Sequence, residues 1–159
     1  MELSRLLGPR TQGRAERMAQ FAASFGVTGM KHPGRIPNTR RALAIAELAR
    51  ERGVLDAFRD SAMRAHWRDG MDLEKDADLA EVARHAGLDP DEALAASRDP
   101  KYLARIDAVR EEANALGVTG IPTFVFGDLE AKPLAVVGCQ PYEVLAEAAQ
   151  QAGARRRSR

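Results

Sequence analysis

Over most of the chain, apolar residues recur every three or four positions, the period of a helix with one buried face. Ala15, Met18, Ala22 and Phe25 predict a first helix from about Gln12 to Phe25. The stretch "GVTGMKHPGRIP", with three glycines and two prolines, breaks the pattern and reads as a loop. Asn38 or Thr39 can cap a second helix that runs to about Arg52 and stops at Gly53. Leu55, Phe58, Ala62 and Ala65 share a face of the next, which ends at Asp69-Gly70. Leu79, Val82 and Ala86 mark a fourth helix with Gly87 as its stop. Asp89-Pro90 and Asp99-Pro100 each pair an N-cap with a proline at the first helical position. The first opens a short helix to about Ser97. The second opens a long one, with Tyr102, Ile106, Val109, Ala113 and Leu116 expected to face inward and Gly117 as its stop.

The period changes after Gly117. "TFVFG" and "LAVVG" are short, apolar and β-branched or aromatic, and a polar "DLEAKP" joins them, so they predict a β-hairpin. "PYEVLAEAAQQAG" closes the chain as a helix opened by Pro141. Two short strands make a marginal sheet. "TFVFG" is apolar on both faces, as in a strand with neighbours on either side, yet the hairpin supplies one neighbour. Either a second chain pairs with the open edge or strands that precede this sequence are missing. Pro122 at the mouth of the strand is the other oddity. An ordinary proline at the first position of an edge strand would account for it locally.

At 159 residues the chain fits one ordinary domain and can bury a core without disulfides. With 45% hydrophobic and 30% charged residues it reads as a globular protein that is not disordered. The 24 basic and 23 acidic residues nearly cancel, and Arg155, Arg156, Arg157 and Arg159 lie in the last five positions. Without those four the balance is 20 against 23, or −3. The basic character is thus a terminal tail, and neither nucleic acid nor a membrane surface is an expected partner. No apolar run approaches the roughly 20 residues of a membrane span, and "MELSRLLGPRTQGRAER" has no signal-peptide core. The single Cys139 permits no intramolecular disulfide, and a cytoplasmic location fits best.

A long helix ending in Gly, then "GVTGIPTFVF", a hairpin, "VVGCQP" and a last helix resemble the C-terminal half of a DsbA-like thioredoxin domain. "PNTRRALAIAELARERG", "FRDSAMRAHWRDGMDL" and "LAEVARHAGLD" are similar to the helical insertion of the FrnE-like branch of that family. "VVGCQPYEVL" resembles that branch's Gly-Ala-Gln-Pro segment, with Cys139 in place of the alanine. The resemblance spans about Leu6 to Ala152. It implies a thioredoxin-like α/β fold: a helical insertion over residues 1–116, a β-β-α part over 117–153 and a basic tail over 154–159. It also implies that the Ile121–Pro122 bond is cis, that Ile121 and Pro122 line a site for an extended peptide or protein disulfide, and that Thr119 and Gly120 shape the turn.

The family's chemistry resides in a Cys-x-x-Cys whose first thiol is acidified at a helix N-terminus. This sequence has none, and the resemblance begins inside the family domain. The expectation is therefore a chain lacking the fold's first strand–helix–strand, with no dithiol activity of its own and no resident cofactor. A second reading is a glutathione-dependent isomerase of the 2-hydroxychromene-2-carboxylate isomerase type, which needs no Cys-x-x-Cys. A third is a non-catalytic peptide- or partner-binding fragment, with a homodimer through the open strand edge. Cys139, at a strand end far in sequence from Pro122, reads as a small half-buried thiol and only secondarily as a redox group. His32, His66 and His85 lack metal-ligand spacing. His66 and Trp67 form an expected rim pair, His85 sits in a last helical turn, and Asp76 and Asp78 read as caps.

Overall fold

A computed structural model describes residues 13–31, 37–128 and 133–155. His32, the rest of the first loop over 32–36, four hairpin-connection residues over 129–132 and the arginines at 156, 157 and 159 lie outside them. The described elements are α1 (Arg14–Ala23), α2 (Arg40–Glu51), α3 (Leu55–Arg64), a π-helical turn (Ala65–Asp69), α4 (Asp76–His85), α5 (Pro90–Ala96), α6 (Pro100–Ala115), β1 (Thr123–Phe126), β2 (Leu134–Val137) and α7 (Tyr142–Gln151). The chain divides into two compact units, one reaching Ala108 and the other starting at Val109, so α6 contributes to both.

The first unit is built on the 3.6-residue period. Ile45 and Leu48 of α2, Phe58 of α3 and Leu79 and Val82 of α4 are buried together. Ala44, Ala49, Ala83 and Ala93 are fully enclosed and leave room for the helices to approach closely. Tyr102, Leu103 and Ile106 bring the first half of α6 against this core. The cap chemistry holds at α5, where Asp89 accepts from the Glu92 N–H at 2.8 Å and Pro90 occupies the first helical position. At α2 it is Asn38 that serves, its Oδ1 accepting from Arg40 N–H at 3.0 Å, while the Thr39 side chain makes no cap bond.

Neither Asp76 nor Asp78 is a cap. The N-cap position of α4 is Lys75, which makes no side-chain cap bond. Asp76 takes Arg41 Nη2 and Arg98 Nη2, each at 2.6 Å, and these two guanidiniums, Arg98 foremost, lower its pKa. Asp78 accepts from the Asp72 N–H at 2.7 Å. Distant guanidiniums therefore claim the Asp76 carboxylate, while that of Asp78 turns to the backbone six residues upstream. Arg41 also donates to the Glu74 carbonyl and to the Ser97 hydroxyl, which is buried.

Arg40 and Arg41 open α2 and Glu51 closes it, each against the helix dipole. Helix α6 supplies much of the compensation. Arg40 forms a two-point pair with Asp107 at 2.5 and 2.7 Å. Glu51 accepts from the Tyr102 hydroxyl at 2.7 Å, Lys101 Nζ at 3.2 Å and Arg105 Nη1 at 2.6 Å. The Tyr102 hydroxyl, then Lys101 and Arg105, hold the Glu51 carboxylate down to a pKa of about 2.

The expected apolar faces form, but not all of them are covered. Phe25, stacked edge-to-face on Phe21, is 64% exposed. Val109 of α6 (62% exposed) and Leu116 just past its end (45%) do not face inward as the spacing suggests. Periodicity marks which side of a helix is apolar and is silent on whether anything lies opposite. His66 and Trp67 do form a half-buried edge-to-face pair in the π turn, with centroids 4.6 Å apart. His85 lies in the last turn of α4.

In the second unit, β1 and β2 are antiparallel with Thr123 opposite Val137 and Phe126 opposite Leu134. Helix α7 packs on β2. Among the described residues of this unit only Ala148 is buried.

Candidate substrate-docking site

Helix α6 ends in a Schellman arrangement that aims the chain into the site. Gly117 has φ +72°, its N–H donates to the Asn114 carbonyl, and Val118 N–H donates to the Ala113 carbonyl. Thr119 is exposed at the turn that follows. Thr123 Oγ1 then donates to the Gly120 carbonyl at 2.6 Å and closes a small ring around Ile121 and Pro122. Across the hairpin, Gly138 N–H donates to the Pro122 carbonyl at 2.8 Å. Pinned at both ends, the loop holds Ile121 out: it is 91% exposed. The Ile121–Pro122 peptide bond is cis. A branched apolar side chain standing free at a rigid bend is suited to meeting another apolar surface.

The expectation of a half-buried Cys139 is corrected, because its thiol is exposed. Though far from Pro122 in sequence, Cys139 follows Gly138, whose N–H meets the Pro122 carbonyl across the hairpin. Thr119, Gly120, Ile121, Pro122 and Cys139 therefore gather at one end of the hairpin. Two residues that secure this end carry no obvious sequence signal. One is Thr123, through its bond to Gly120. The other is Gln140, whose Nε2 donates to the Val137 carbonyl at 2.9 Å. A broad hollow of about 500 Å³ lies at the opposite end, lined by Phe126, Gly127, Asp128, Leu134 and residues of the α7 C-terminus. None of the candidate residues borders it. Among the described residues no group of His, Cys, Asp and Glu is placed to hold a metal ion.

The profile of the DSBA-like thioredoxin domain matches residues 1–150, nearly the whole sequence. The chain belongs to the DSBA-like thioredoxin family. Its helical unit, two-stranded sheet and final helix are the DSBA-like rendering of a thioredoxin-like fold. A crystal structure titled a probable DsbA oxidoreductase, from Streptomyces coelicolor, superposes with a TM-score of 0.75 at 32% identity. The match covers 94% of this chain and 64% of that one, so this DSBA-like chain spans under two thirds of its relative's length. The curated proteins give no match. Among the described residues no helix is long and apolar enough to cross a membrane.

Proposed function

We infer that this DSBA-like chain supplies the polypeptide-docking wall of a thiol–disulfide oxidoreductase. The observation that carries this reading is the loop Thr119–Pro122, pinned by Thr123 and Gly138, with Ile121 held almost wholly in solvent. An extended substrate would lay an apolar side chain on Ile121 and run along the adjoining backbone, the manner in which strand-like peptides meet a sheet edge. In the exchange, a thiolate attacks one sulfur of a substrate disulfide, the other sulfur leaves as a thiolate, and a second protein thiolate then resolves the mixed disulfide. Those steps need a protein dithiol, and the sequence holds one cysteine. The contribution of these 159 residues is therefore docking without dithiol turnover. In this reading residues 1–116 are the helical insertion of the FrnE-like branch and 117–153 the part that carries the site. A single thiol is consistent with a reducing cytoplasmic setting.

The test is a titration with a reduced, carboxymethylated unfolded polypeptide, followed by backbone amide shifts. Shifts should concentrate on residues 119–123 and Gly138, and Ile121→Asp should weaken binding by about tenfold, or roughly 1.4 kcal/mol. Shifts confined to the helical unit would refute the docking role. Insulin reduction by the chain alone should stay at background, and catalytic turnover would refute the division of labour.

A further inference from the structure

Strand β1 opens on Thr123. Valine and isoleucine suit a strand as well as threonine does, so the strand itself does not call for a hydroxyl at this position. The hydroxyl is used in the loop before it. From a half-buried side chain, Oγ1 donates to the Gly120 carbonyl at 2.6 Å.

That stretch of loop has little else to fix its path. Upstream, the last backbone bond runs from the Val118 N–H to the Ala113 carbonyl. Downstream, the main chain joins the hairpin at the Pro122 carbonyl, which accepts from the Gly138 N–H. Among the described residues, Thr119, Gly120 and Ile121 make no backbone–backbone hydrogen bond, and Pro122 has no N–H to offer. The amide of Gln140 acts on the Val137 carbonyl of β2 and not on the loop. Between the two anchors the hydrogen bond comes from Thr123. Its branched side chain has few rotamers, so little freedom is lost in making that bond.

We propose that Thr123 is the positioning residue of the docking loop, its hydroxyl holding Gly120, Ile121 and Pro122 in the docking shape before a polypeptide arrives. The inference rests on the docking role of this loop and assigns Thr123 no contact with the polypeptide; it acts through Ile121. A loop that leaves its docking shape must be ordered again on binding, and the apparent affinity falls by the fraction of time it spends elsewhere.

The test compares Thr123→Val, which keeps the branched shape and removes the hydroxyl, with Thr123→Ser, which keeps the hydroxyl. Both are titrated with the same reduced, carboxymethylated polypeptide. Thr123→Val should bind about fivefold more weakly, the scale of one hydrogen bond's net contribution, and Thr123→Ser should restore most of the affinity. Without polypeptide, the backbone order parameter of Ile121 should fall in Thr123→Val and recover in Thr123→Ser. Amide protection along the ladder from Thr123–Val137 to Phe126–Leu134 should stay unchanged, which a general loss of hairpin structure would not allow. If Thr123→Val disturbs that ladder, Thr123→Ala, which removes the same hydroxyl, takes its place. Undiminished binding without the hydroxyl, an unchanged order parameter at Ile121, or a Thr123→Ser variant as weak as Thr123→Val would each overturn the inference and leave the docking role standing. An unsubstituted chain whose loop binds no polypeptide would overturn both.

Discussion

The helical unit and the hairpin unit solve opposite problems. Up to Ala108 the chain buries Phe58, Ile45, Leu79 and Val82 in one cluster and places its ring of charges in pairs. From Val109 onward, Val109, Leu116, Ile121, Val137, Tyr142 and Val144 all remain exposed. Enclosed side chains are thus concentrated in the unit that holds no candidate site residue, whereas the hairpin unit, with half the length, leaves most of its large apolar side chains uncovered, Ile121 of the docking loop the most. A docking surface has to leave apolar groups uncovered, and a separate core can meet the cost of doing so.

Several substitutions would break or sharpen this contrast. Phe58→Ala removes the largest enclosed side chain and should cost about 3–5 kcal/mol, read from the urea midpoint. The acid response should also belong to the helical unit. The Glu51 pKa lies at about 2, against an unperturbed 4.5. A carboxylate depressed on folding stabilises above its unfolded value, and that stability is lost as pH falls toward the folded one. Stability should therefore drop between about pH 4.5 and 2, and Glu51→Gln should flatten the drop, as followed by circular dichroism. The smallest effect on stability should come from Ile121→Asp. So exposed a side chain should change the unfolding free energy by no more than about 0.5 kcal/mol, even as peptide binding falls. A large loss of stability there would erase the distinction between the two units.

Much of the fold was legible because its signals are local. The period of Leu79, Val82 and Ala86, the Asp89-Pro90 start and the Gly117 stop each act within one or two turns of backbone. What stayed hidden depends on distant partners. Asp76 has the right residue type for a cap, but Arg41 claims it from 35 positions away. Cys139 looks remote from Pro122 until the register sets Gly138 against it. Val109 and Leu116 keep a helical spacing that says nothing of what they face. At the site, "IPTF" announces a bend before a strand. The hydroxyl bond from Thr123 to Gly120 and the amide bond from Gln140 to Val137 emerge only with the chain folded.

The backward charges of α2 bear on the order of events during synthesis. Arg40 and Glu51 disfavour the very helix they belong to. Their neutralising partners, from Lys101 to Asp107, lie 50 or more positions further along the chain. At about 5–20 residues per second, α2 leaves the ribosome some seconds before α6 is made. A peptide of residues 37–52 should accordingly be less helical than its counterpart with the charges at 40 and 51 exchanged, as circular dichroism would show. In the nascent protein, α2 is a segment waiting for its sequel.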